Sequence, residues 1–244
     1  MARYFNLESG LLLVVLLAVA AGVAVALGLD WPKALALGLA VAMLTGFPLA
    51  AALQDKLLEV YAKRGKLDRA LDLAIAIRNS APNGRLRNRA QVDLALLQLL
   101  RRDYEHALAN LSAVKQALVS SDPARAVVRG HMAYCLAHLS RELPRAEELA
   151  RDAVKAAPDE PIFAYFLGLT LLQQGRAAEA EPLIAESLEK NPDAAEPFPG
   201  ERHWALARAR AELGQDAEPA RSQAIAAGGH FAEQARSLGA SAAS

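Results

Sequence analysis

The sequence predicts an all-α protein, with two N-terminal transmembrane helices followed by a solenoid of about four to five stacked helical hairpins. Three observations carry that expectation. Residues 11–29 contain no charged side chain, and residues 34–53 form a second apolar run. The composition is 53% hydrophobic but only 5% aromatic, so alanine, leucine and valine supply the apolar surface, a balance that favours helix. Beyond the apolar runs, pairs of short amphipathic segments split by turn residues begin near 51, 88, 127, 161 and 201. The expected layout is a transmembrane hairpin over 1–53, a helical solenoid over 54–236 and a flexible tail over 237–244.

The first run rises about 28 Å as a helix, close to the hydrocarbon thickness of a bilayer. It is longer than the apolar region of a secretory signal peptide, and no small-x-small site on a polar flank follows it. Between the runs, Asp30 is placed to cap the second helix and Pro32 to occupy its first turn. Tyr4, Phe5 and Trp31 stand where ring side chains favour the headgroup layer. Arg3 precedes the first span, and Lys56, Lys63, Arg64, Lys66 and Arg69 follow the second. That asymmetry predicts a multi-pass protein of the inner (cytoplasmic) membrane with its solenoid in the cytoplasm. Small residues recur at every fourth position, as Ala18, Gly22 and Ala26, then Ala34, Gly38, Ala42, Gly46 and Ala50. Such seams let the two spans pack on each other, or let the hairpin pack on membrane-protein partners. Neither span holds an ionisable side chain, which argues against an ion or proton path.

Pro48 ends or kinks the second span. The first hairpin then carries Leu57, Leu58 and Tyr61 before Gly65, and Ala70, Ala74 and Ile77 before Pro82. The second, about 88–121, has Leu94 and Ala95, then Ala107, Leu111 and Val114, with Arg102 at the turn position that glycine holds elsewhere. The third, about 127–160, has Ala133 and Tyr134, then Ala146, Ala150, Ala153 and Pro158. The fourth is the clearest, PIFAYFLGLTLLQQGRAAEAEPLIAESLEKNP over 161–192. Its first helix carries Leu167, Gly168 and Leu171 and breaks at Gln174 and Gly175. Its second presents Ala180, Ile184 and Ser187 and stops at Asn191 and Pro192. Gly168 and Ala180 are small where the two helices cross. A proline- and acid-rich loop over 191–201 leads to a partial fifth unit with Trp204, Ala207, Ala211, Gly214, Ala220 and Ala224, and a capping helix over 230–238.

The Leu-Gly pair, the later alanine and the closing proline of 161–192 resemble the tetratricopeptide repeat (TPR), a 34-residue helix-turn-helix unit. Tyr61, Gly65, Ala70 and Pro82 fit the same intervals, and the resemblance spans about 51–230. Ala164 and Leu171 stand where the pattern often has Trp and Tyr. The resemblance implies a superhelix, because one such hairpin cannot bury its apolar face alone. It also implies protein partners, bound as peptides along the concave face of the first helices. The stripe beside the packing face of those helices reads Arg89, Val92, Leu96 and Leu99; Val128, His131, Cys135 and His138; and Ile162, Tyr165, Leu169 and Leu172. This partner-binding groove is mostly apolar and lacks the Lys and Asn set with which chaperone-binding members clamp a carboxylate. An amphipathic helix or apolar peptide suits it. The competing reading is that the superhelix, or a C-terminal helix folding inward, covers part of the stripe.

His131, Cys135 and His138 share one helical face and are of metal-ligand type, but no second cluster completes a tetrahedral set, so no metal and no cofactor are expected. No Gly-rich phosphate loop, GxSxG or HExxH occurs, and the expectation is not an enzyme. Basic and acidic residues balance at 27 each, and Arg85, Arg87 and Arg89 form only a small basic spot, suited to anionic membrane lipid rather than nucleic acid. A single cysteine excludes an intramolecular disulfide. The expected function is a membrane-anchored adaptor or scaffold that gathers protein partners at the membrane. The alternative is a subunit of a membrane transport, secretion or envelope-assembly complex whose hairpin contacts other spans.

Overall fold

The computed structural model describes residues 56–81, 83–117, 124–190 and 200–241. The predicted spans 11–29 and 34–53 lie outside the described residues, and no described helix is long and apolar enough to cross a membrane. Among the described residues there are eleven helices and no strand. The chain divides into two compact units, Met1–Pro82 and Asn83–Ser244.

In the first unit, α1 (56–63) and α2 (Leu67–Ser80) form a hairpin. Gly65 turns the chain at φ +68°, and the Lys66 N–H donates to the Tyr61 carbonyl at 2.9 Å. That left-handed residue satisfies carbonyls left open at the end of α1. Ala70 and Ala74, one helical turn apart, are fully buried.

The second unit holds α3 (Gly84–Leu100), α4 (Tyr104–Ala117), α5 (Ala124–His138), α6 (Leu143–Ala156), α7 (Pro161–Gln173), α8 (Ala177–Lys190), α9 (Glu201–Glu212), α10 (Glu218–Ala227) and α11 (Gly229–Ser241). Successive helices pair as hairpins, and α4 on α5, α6 on α7 and α8 on α9 stack one hairpin on the next. The second and third hairpins start upstream of their sequence-predicted positions because Asn83 caps α3, accepting the Leu86 N–H at 3.0 Å, and α5 opens at Ala124. Their apolar periodicity becomes visible only after the first turn. At the other end α11 continues to Ser241, beyond residue 237 where the tail is expected.

The hairpins close by the steric logic that the sequence suggests. A Cβ added at Gly168 would lie 2.7 Å from Ile184 Cγ1 and 3.1 Å from the Ala180 carbonyl, so α7 and α8 cross at bare backbone. Ile184 then fills the side of the crossing at 0% exposure, a burial that contributes roughly 1.5–3 kcal/mol. Gly130 does the same between hairpins, since a Cβ there would meet the Phe163 ring at 2.5 Å. Along the outer edges, part-exposed ion pairs brace neighbours. Arg176 reaches both Glu147 of α6 and Glu179 of α8, and Arg210 of α9 reaches Glu181 of α8. Arg129 of α5 pairs with Asp152 of α6.

Candidate functional site

The predicted stripe divides in two. Leu99, Val128, Cys135, Tyr165, Leu169 and Leu172 are buried in the common core and offer no surface to a partner, which corrects their placement in the groove. The reason is crowding of the first helices. Helix α5 packs against α4, α6 and α7, and α7 packs against α5, α6, α8 and α9. A position beside the hairpin-packing face therefore points into the next repeat. Arg89 is exposed, and Val92, Leu96 and Ile162 lie half-buried at the edge of the core.

The trio on α5 also separates. The His131 Nδ1–H donates to the Val127 carbonyl at 2.8 Å, its ring stands edge-on to Phe166, and burial holds the imidazole below the usual histidine range. Cys135 is fully buried, and that burial pushes its thiol up to about 12, so it behaves as a small apolar side chain. His138 turns to a carboxylate instead, with Nε2 at 2.7 Å from Glu201 Oε1. Among the described residues no group of three or more His, Cys, Asp and Glu side chains is arranged to hold a metal ion.

That carboxylate is the centre of the site. Gly200 enters α9 at φ +80°, and a Cβ there would meet Ala227 Cβ at 2.9 Å and the Ala224 carbonyl at 3.0 Å. The tight approach of α10 thus sets where α9 begins, and Glu201, its first residue, carries a side chain only 3% exposed. An acid in the first turn is favoured by the helix dipole, but burial of its charge demands partners. The Tyr134 hydroxyl donates to Oε2 at 2.7 Å, and the His138 Nε2–H donates to Oε1. The Tyr165 hydroxyl faces the same carboxylate without closing a hydrogen bond. Burial, reinforced by the Glu201 charge, pushes the Tyr134 and Tyr165 phenols well above their usual range, which keeps both protonated and Tyr134 a donor. Rings wall the cluster. Tyr104 stacks on His138 with centroids 4.4 Å apart and planes 3° from parallel, and Tyr134 lies 4.7 Å from Phe166. Next in sequence, the buried Arg202 donates to the Ser187 carbonyl at 2.8 Å and to its Oγ at 3.2 Å. Two adjacent residues thus fasten α9 to α5 and to α8.

At the margin of this cluster the Arg102 guanidinium lies over the Phe231 ring, 5.5 Å from its centroid. Phe231 is 2% exposed and meets Trp204 at 5.3 Å. The sequence reading missed Glu201 and Arg202. An acid that opens a helix after a loop looks like any exposed first-turn acid, and nothing local marks its partners on α5.

The comparisons agree with this architecture. No family model matches the chain, and no curated protein does. Among solved structures it is similar to nearly identical TPR-like repeats from a Podosopora anserina kinesin light chain. That match has 20% identity and a TM-score of 0.51, and it covers 80% of this chain and 97% of the other. It is also similar to TTC0263, a TPR protein of Thermus thermophilus, at 18% identity and a TM-score of 0.56, covering 75% and 95%. Bacillus thuringiensis PlcR, in complex with the peptide PapR7 and DNA, matches at 13% identity and a TM-score of 0.57, covering 83% and 76%. The chain has a TPR-like helical-repeat fold.

Proposed function

We propose that this chain is a protein-interaction scaffold whose second unit receives a peptide or amphipathic helix of a partner, and whose residues 11–29 and 34–53 hold it at a membrane. The observation that carries the reading is the strip left on α3. Val92 and Leu96 are one helical turn apart and half-buried, beside the exposed Arg89, while most of the equivalent positions on α5 and α7 are consumed by the core. An apolar pair at i and i+4 next to a cation fits one face of an amphipathic helix. The PlcR structure supports the same direction, since a chain of similar fold is there found with a peptide. The anchoring part rests on the two uncharged runs and the basic residues after them.

The test is capture of partners by the tagged full chain with Val92→Glu and Leu96→Glu combined. Loss of capture with helicity unchanged supports the reading, and undiminished capture rejects it. Leu169→Glu is unsuitable as a groove probe, because it places a charge at a fully buried position.

A further inference from the structure

Among the described residues, the large apolar side chains left exposed are Leu57, Val60 and Ile75, and all three belong to the first hairpin. A single exposed apolar side chain is ordinary, but Leu57 and Val60 stand at i and i+3 on one side of α1. The same side carries Lys56, Lys63 and Arg64, all exposed, at spacings that frame the apolar pair with cations. The acid nearest the strip, Glu59, lies at its edge and already accepts from Lys56 at 3.1 Å and from Lys63 at 2.8 Å. Helix α1 thus presents a narrow apolar strip among cations, the pattern of a helix that lies in a bilayer interface. Its place in the chain bears on what covers that strip. Only Gln54 and Asp55 separate α1 from the uncharged run 34–53. At about 3.5 Å per residue, Leu57 stands no more than about 14 Å from residue 53.

We propose that α1 lies along the surface of an anionic bilayer, with Leu57 and Val60 dipping into the headgroup layer and Lys56, Lys63 and Arg64 on its phosphates. The inference rests on the anchoring part of the proposed function and adds the surface by which the first hairpin meets lipid. Where 34–53 crosses the bilayer, so short a connection keeps α1 within or beside the headgroup layer. Long Lys and Arg stems extend from an apolar strip to phosphates without burying their charge. A second copy of the chain suits the strip less well, because a two-fold contact through it would set the same cations against each other.

The experiment uses the full chain in vesicles of phosphatidylcholine mixed with phosphatidylglycerol. Leu57→Cys, Val60→Cys and, for comparison, Asp72→Cys each carry a thiol-linked fluorophore, while Cys135 is fully buried and stays unlabelled. Asp72 is exposed on α2, on the side opposite the buried Ala70 and Ala74. A nitroxide on the upper acyl carbons of the lipid is expected to quench the probes at 57 and 60 at least about twofold more than the probe at 72. That difference is expected to shrink in phosphatidylcholine alone, where the cations find no net negative surface. Equal quenching at 57, 60 and 72 overturns the inference, as does crosslinking of position 57 to a second copy in place of quenching. Flotation of the same vesicles at alkaline pH separates the two failures. A chain that floats without preferential quenching loses only the lipid-facing α1, whereas a chain that does not float loses the anchor and this inference together.

Discussion

The Tyr134 hydroxyl donates to the Glu201 carboxylate at 2.7 Å, across 67 positions of sequence. With His138 on the other oxygen, this bond joins the third hairpin directly to the fifth. Truncation of one member of a buried, hydrogen-bonded group strands the others. Glu201→Ala is therefore expected to cost the second unit about 2–4 kcal/mol, and Tyr134→Phe about 1–2 kcal/mol, in urea unfolding. The double variant should cost less than the sum of the two. Strict additivity would show that the two groups do not interact.

Gly168 is the residue on which the fourth hairpin closes. Gly168→Ala puts a methyl group 2.7 Å from Ile184 Cγ1 and 3.1 Å from a backbone carbonyl that cannot retreat, and overpacking of this kind costs about 1–3 kcal/mol. Adding Ile184→Val does not remove the carbonyl contact, so rescue should be partial at best. A neutral or stabilising Gly168→Ala, as helix propensity alone would give, contradicts the close crossing.

Acid should weaken the fold before any carboxylate is protonated. Burial lowers the His131 imidazole below its unfolded value, more than the Val127 carbonyl raises it, and burial also lowers His203 and His230. Below the unfolded histidine range, near 6.5, the unfolded chain takes up protons that the native state refuses, so stability is full above that pH and falls as the pH drops. Urea midpoints should decline from pH 7.5 to 5.5, and His131→Gln should flatten the decline. An identical slope in the variant would show that His131 titrates normally.

Two arginines should differ in proportion to their burial. Arg202, 2% exposed, satisfies the Ser187 carbonyl inside the α8–α9 contact, and Arg202→Ala should cost about 2–3 kcal/mol. Arg176 bridges Glu147 and Glu179 with its side chain 37% exposed, so Arg176→Ala should cost under about 1 kcal/mol and less still in high salt. Equal costs from thermal or urea unfolding would contradict that ranking.

What the sequence made legible was local. Gly65, Gly175 and Gly214 mark turns because a left-handed residue ends each first helix, and Gly168 with Ala180 marks a crossing because both are small at the right spacing. Arg102 was visible as a departure from the turn residue, but its partner Phe231 was not, since that contact depends on how the hairpins curve. The same blindness moved Leu169 and Cys135 from a groove into the core. A helical stripe gives the angle of a side chain about its own helix and says nothing about which neighbouring helix occupies that direction. Glu201 escaped for the related reason that its partners Tyr134 and His138 stand two hairpins away.

Whether α3 receives a partner, as proposed, is tested most directly by in-cell photo-crosslinking. A photoreactive residue is placed at Leu96, half-buried on α3, and for comparison at Glu148, exposed on the second helix α6. The account predicts discrete protein adducts from Leu96 that disappear when Val92→Glu is added, and none of the same adducts from Glu148. Identical adducts from both positions, or none from Leu96, would contradict it.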